Sequence, residues 1–287
     1  MRRSVIRLRK EFLERKQNER VHEAIHARKE QFREAVSNAT PLPGHLRKDA
    51  LALKKFTELD DDQTRTLQTS VDDEYANAGV EDPRVLVTTS REPSQKLLEF
   101  AKEIRLVIPS AVRMNRGNLS VRQLMEAARR GQYSDVVVLQ ESQGVPDSIT
   151  VSHLPLGPTV VFTIHNLVTR HDIQDVGTMS EQHPHLIFEN FTTRLGRRVR
   201  DVLKFLFPVP KPDATRVLTF DNQNDFVSFR HHTFRVVKGR EVQLTEVGPR
   251  MELAPYRITL GTLEMDDAET EWVLQPYMNT AKKRRLL

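Results

Sequence analysis

The chain has 287 residues and no cysteine, so disulfides, thiolate metal sites and cysteine nucleophiles are excluded. Hydrophobic residues make up 38% and charged residues 29%, with a net charge of +5. The length supports a sizeable core, the polarity leaves part of the chain outside it, and the basic excess favours polyanionic partners.

The basic start, MRRSVIRLRKEF, has no continuous apolar region, and no run approaches the length of a membrane span. The chain is therefore expected to be soluble and intracellular. Residues 2–36 carry a helical pattern with sparse apolar positions: Ile6, Phe12, Leu13, Val21, Ile25, Phe32 and Val36. That stripe is too thin for a core helix. Pro41, Pro43 and Gly44 break the pattern, and a second helical stretch at 46–59 runs into Asp60, Asp61 and Asp62. Residues 1–80 read as a basic helical extension. Either it is a charged, partly disordered segment, or, as favoured here, an arm that lies along RNA or partner proteins and is ordered by them.

From residue 82 the texture is α/β. The apolar VLVTT at 85–89 predicts a buried strand, followed by a helix over 93–104 with Leu97, Leu98, Ala101 and Ile104 inward and Pro93 in its first position. A short strand at 111–114 leads to a helix opening at Ser120, which has capping-box spacing to Gln123. DVVVLQ at 135–140 is another buried strand, and 149–153 and 159–164 form a pair joined by PLGP. The order then repeats. A strand at 186–191 is followed by Thr192, Thr193 and Arg194, a helix over 195–207 with Val199, Val202, Leu203 and Leu206 inward, and strands at 216–220, 226–231, 234–238, 242–247 and 256–260. Two similar α/β halves are expected, at about 84–170 and 185–262, inside a domain spanning 81–265. A tail at 266–287 carries the basic cluster Lys282, Lys283, Arg284 and Arg285, of the nuclear-import type.

The strand end at Thr88, Thr89, Ser90 and Arg91 is a corner where α/β proteins bind anions on free N–H groups of a helix start. Arg113, Asn115 and Arg116 follow the next strand end. Arg194, Arg197, Arg200 and Lys204 stud the second-half helix, with 197, 200 and 204 spaced to share a face and Asp201 as the acid inside it. Unbalanced guanidinium groups suit phosphate. Gly248 and Pro249 set a tight turn from which Arg250 projects, or in which it pairs with an internal acid.

Against these, the signals of catalysis are weak. There is no phosphate-binding glycine loop, His183 and His185 read as a loop pair rather than a metal site, and Phe226, Phe229 and Phe234 read as core. The acidic groups at Asp172 and Asp175, and at Glu264, Asp266 and Asp267, read as solvated surface with no nucleophile nearby. No catalytic residue, metal or cofactor is expected.

TTSREPS at 88–94, RMNRGN at 113–118, DVVVLQE, GVPDSITVSHLPLGPTVVF and LTEVGPRMELAPYRI at 244–258 together resemble the Brix-domain proteins of ribosome biogenesis, over roughly 82–265. The resemblance implies a fold of two α/β halves akin to the anticodon-binding domains of some synthetases. The basic arm, HNLVTRHDI at 165–173 and the short tail are most similar to the U3 small nucleolar ribonucleoprotein member of that family. That likeness implies a place in the nucleolar small-subunit processome, with U3 small nucleolar RNA and pre-rRNA, the Mpp-ten scaffold and its small S-four-like companion as partners, and a role in pairing U3 with pre-rRNA for 18S rRNA processing. It supports binding at the residues above without catalysis. The alternative is a protein-interaction module that scaffolds the processome without specific RNA contact.

Overall fold

A computed structural model describes residues 2–38, 40–51, 53–54, 74–75, 82–211, 213–237, 241–275 and 287. The chain divides into two compact units, Met1–Val80 and Glu81–Leu287. In the first, helix α1 spans Arg2–Ser37. Its stripe is as thin as the sequence suggests, with Leu13, Val21, Ile25 and Val36 exposed. Among the described residues, its last turns find a core, where Phe32 packs with Leu46 and Leu53. The acidic run at Asp60–Asp62, residues 52 and 55–59 of the second helical stretch and the basic cluster at 282–285 lie outside the described residues.

The second unit is built on one eleven-stranded sheet. Its first half runs β1 (Val85–Thr89), α2 (Gln95–Val107), β2 (Val112–Arg113), α3 (Val121–Arg130), β3 (Asp135–Ser142), β4 (Val145–His153) and β5 (Thr159–Val168). Its second half runs β6 (His185–Glu189), α4 (Arg194–Phe205), β7 (Arg216–Gln223), β8 (Phe226–Val236), β9 (Val242–Glu246), β10 (Arg250–Thr259) and β11 (Thr270–Val273). The strand order is β2-β1-β3-β4-β5-β10-β8-β7-β6, with β9 on β8 and β11 on β10.

That order is symmetric about the antiparallel β5–β10 pair, which runs from Val168 against Arg250 to Thr159 against Thr259. On one side β1 lies parallel to β3, and β3, β4 and β5 follow as an antiparallel meander. On the other, β6 lies parallel to β7, and β7, β8 and β10 repeat the meander. The two strand–helix units therefore occupy matching sheet positions, as a duplication requires. Among the described residues, the first half alone inserts β2 and α3 between its parallel strands.

Burial follows from that difference. Leu86, Val136 and Val138 pack against Leu124, Met125 and Ala128 of α3 on one face. Val137, pointing the opposite way, lines an apolar space with Ile104 and Val107 of α2 and Leu203 of α4. With both faces covered, all five residues of β1 are buried. β7 instead alternates, with Leu218 and Phe220 inside and Val217 and Thr219 half-exposed. Among the described residues the second half has no counterpart of α3.

Several boundaries differ from the sequence reading, and the strands expected at 226–231 and 234–238 are one continuous strand, β8. α2 is capped by Ser94, so Pro93 precedes the helix rather than opening it. The segment after Pro249 is already strand β10, carried past Pro255 by a register shift. β11 has no apolar alternation strong enough to announce it. The capping box of α3, by contrast, forms as expected: Gln123 N–H donates to Ser120 Oγ at 3.3 Å and Ser120 N–H to Gln123 Oε1 at 3.0 Å.

Candidate nucleic-acid interface

The expected anion corner is already filled by the protein's own carboxylate. Glu141, on β3, accepts from the Ser94 backbone N–H at 2.8 Å and from the Ser94 hydroxyl. Ser94 Oγ in turn accepts from Leu97 N–H at 3.2 Å. An acidic group at a helix start satisfies its donors and its dipole, so no free anion is needed there. Ser90 N–H is spent on Leu139 O at 2.8 Å. Thr88 is 0% exposed, which withdraws it from any surface contact. The strand winding reverses between β1 and β3, the usual ligand crevice of such sheets, and Glu141 plugs it.

The open cleft lies one strand over, beyond the ends of β1 and β2. It encloses about 390 Å³ and is lined by Thr89, Lys102, Arg113, Asn115 and Arg116, with Pro93 and Leu98 as apolar wall. None of its lining residues is acidic. Arg113 is fixed by the pairing of β2 with β1, opposite Val87, and its Nη1 is buried with no hydrogen-bond partner among the described residues. Arg116 is only 7% exposed and donates Nε–H to Leu119 O at 2.9 Å. Burial, and then the neighbouring Arg91 guanidinium, pull its pKa below the usual arginine value. An anion in the cleft would relieve both. Five sequence-predicted residues thus gather here or at its lip: Thr89, Arg91, Arg113, Asn115 and Arg116.

The basic face of α4 is less bare than its sequence suggests. Thr193 caps the helix, its Oγ1 accepting from Gly196 N–H at 2.9 Å. Arg200 Nη2 lies 3.0 Å from Asp201 Oδ1, and Arg198 Nε lies 3.1 Å from Glu271 Oε2. Glu271 comes from β11, far along the chain, and so was invisible as a balancing acid. Arg194 and Arg197 are exposed, and Arg200 and Lys204 half-buried. The Lys204 ammonium sits 5.4 Å from the Phe205 ring centre. Arg250 does not project from a free turn. It opens β10 and pairs with Glu246 at 3.5 Å.

Several other titratable groups serve structure. His183 Nδ1 lies 3.3 Å from Val209 O and His185 Nε2 lies 3.1 Å from Ala214 O. Glu264, read as solvated surface, pairs with Arg129 of α3. Phe229 is core, but Phe226 is exposed and meets His165 edge-on at 5.3 Å. Sequence reasoning missed His153, whose Nδ1 lies 2.8 Å from Asp135 Oδ1. The signal was present: both ends of the β3–β4 hairpin face each other in register.

Two mirrored α/β halves on one sheet, with a cationic cleft beyond one set of strand ends, define a duplicated α/β domain. The chain belongs to the Brix domain family, whose profile matches residues 90–257. It is 51% identical over 282 residues to the U3 small nucleolar ribonucleoprotein protein IMP4 of Homo sapiens, across 98% of this chain and 97% of that one. It is 45% identical over 284 residues to the protein of the same name in Eremothecium gossypii, across 98% of each. Among solved structures, a probable ribosomal biogenesis protein from Aeropyrum pernix K1 is similar with a TM-score of 0.48 and 23% identity, over 60% of this chain and 96% of that one.

Proposed function

We propose that this chain is a non-catalytic, RNA-binding assembly factor of the U3 small nucleolar ribonucleoprotein. It acts in the nucleolus on early small-subunit ribosome assembly and helps U3 small nucleolar RNA pair with pre-rRNA for 18S rRNA processing. Near-full-length relatives carry the U3 ribonucleoprotein name. In this reading residues 1–80 are an arm ordered by its partners, and the binding domain expected over 81–265 extends through β11 at Thr270–Val273, with the basic cluster at 282–285 beyond it in the sequence. The Mpp-ten scaffold and its small S-four-like companion are the protein partners.

The observation that carries the RNA reading is the acid-free cleft of Lys102, Arg113 and Arg116. It has the size of an ordinary ligand pocket. Guanidinium groups grip a phosphodiester, and Pro93 and Leu98 offer an apolar surface to the attached sugar or base. Ser90, Arg91 and Asn115 border it. Arg194, Arg197, Arg200 and Lys204 add a second, partly neutralised contact. Phosphate contacts of this kind position RNA without reading its sequence.

The test is a salt titration on a single-stranded pre-rRNA fragment. Replacing Lys102 and Arg113 by Ala is expected to lower the slope of log affinity against log salt by about 1.4, at roughly 0.7 per phosphate neutralised. An unchanged slope with an unchanged melting curve would remove the cleft from the RNA path. One observation favours a protein-scaffold role beside this one. Val236, Val242 and Leu244 on the β8–β9 ribbon are 67%, 56% and 61% exposed, apolar surface of the sort that partner proteins cover.

A further inference from the structure

The two halves of the sheet differ in what covers one of its faces. In the first, α3 lays Leu124, Met125 and Ala128 over Leu86, Val136 and Val138. The register from β3 to β8 carries that same face into the second half, where β7 presents Val217 and Thr219 on it. Ile187 of β6 lies beside Thr219. Val217 stands where Val136 stands in the first half, each the second residue of the strand that leads its meander. Among the described residues of this unit, no α-helix covers the face here. Ile187 is 40% exposed and Val217 half-exposed. On the adjoining ribbon, Phe234 faces Leu244 and Val236 faces Val242 in register. Of these four only Phe234 is partly covered.

These six residues form one apolar stripe running diagonally from β6 to β9. Thr219, Arg230 and His232 border it on the same face. From Ile187 to Leu244 it crosses three strand spacings of about 4.8 Å and four residues of about 3.3 Å, or about 20 Å in all. That is the span of roughly 13 helical residues. We propose that the stripe seats one amphipathic helix of a partner protein, packed on the second half as α3 packs on the first. The duplication itself indicates the occupant, because its first copy covers the equivalent face with a helix that points apolar residues inward. An added strand would pair along a sheet edge and leave the face bare. A contiguous apolar stripe with a polar border is also what a helix with anchors at three- and four-residue spacing requires. The proposal deepens the protein-scaffold reading above and does not depend on the RNA one.

The two ends of the stripe provide the test. Photoreactive benzoylphenylalanine replaces Ile187 in one full-length chain and Leu244 in another, and each is irradiated in its native particles. Both positions are expected to link to one segment of one other protein, at points about 13 residues apart if that segment is helical. A spacing of about 6 residues would mark an extended segment instead. A synthetic peptide of the linked segment is then titrated against the full chain. Leu244→Asp is expected to weaken its binding at least tenfold. Gln243→Asp, on the same strand but the opposite face, should leave it unchanged. Equal weakening by both variants, or by neither, overturns the seat. Links to one protein at the extended spacing overturn the helix and leave the scaffold reading standing. Links to RNA alone, to this chain itself, or to nothing at either position remove both.

Discussion

Arg216 shows how much a single side chain does in this fold. It is wholly buried at the first position of β7, and its Nη2 donates to Leu106 O at 3.1 Å and to Val107 O at 2.6 Å. Those carbonyls end α2, so a cation from the second half caps a helix of the first. Its Nε donates to His231 Nε2 at 2.9 Å, which leaves the His231 proton on Nδ1, donated to Gly248 O at 2.7 Å. Burial, with Arg216 beside it, pushes the His231 pKa down to about 3. Between about pH 6.5 and 3 the unfolded chain therefore holds a proton there that the folded chain does not. Stability should fall as pH drops through that window, by about 1.4 kcal/mol per unit from this group. His232, lowered mainly by burial, acts in the same direction. Glu103, raised mainly by burial, acts in the opposite one: above the ordinary carboxylate value it costs stability as pH rises. Denaturant melts from pH 4 to 7 should show the fall, and His231→Gln should flatten it. Parallel curves for the two proteins would contradict the assignment. None of this was legible in the sequence, where Arg216 is one of many basic residues and its partners lie 15 to more than 100 residues away.

At the level of elements, strands and helices were readable because their periods differ, whereas the site depended on who meets whom. VLVTT and DVVVLQ announced two-sided burial through unbroken apolar runs, and Ser120 with Gln123 announced a helix start. The corner after β1 misled because its residue types suit a bound anion, and the anion that fills it, Glu141, arrives from another strand. That substitution makes a testable claim about α2. Glu141→Gln keeps a hydrogen-bond acceptor for Ser94 but removes the charge from the positive end of the helix. A loss of about 1 kcal/mol is expected, read as a melting point lower by roughly 2–4 °C for a domain of this size. An unchanged melt would mean that the carboxylate serves only as a geometric cap. The cleft residues were within reach of sequence reasoning because Arg113 and Arg116 flank a strand end. Lys102 was not, since only the packing of α2 over β1 and β2 brings it there.

On the scale of the whole second unit, the duplication was visible as a repeated element order, but its mode of joining was not. Nothing in the residues at 159–168 or 250–259 says that these two strands pair with each other. Their pairing fuses two half-sheets into one. On its helical face α2 and α4 then share a single apolar layer with Phe162, Phe220 and Phe229. Arg216 adds a polar tie across the same junction, from β7 to the carbonyls that end α2. Half-domains joined by a flexible linker would unfold separately, whereas halves that share a strand pair, a core layer and buried polar groups should not. Native-state hydrogen exchange on the full chain is therefore expected to give the slowest amides of β1 and β3 the same opening free energy, within about 1 kcal/mol, as those of β7 and β8. Arg216→Met should lower both sets together, because it leaves the Leu106 and Val107 carbonyls on one side and His231 Nε2 on the other without their donor. If the second-half strands open at a much lower free energy than the first, or if Arg216→Met weakens only β7 and β8, the halves are separate folding units and the shared sheet is merely their contact.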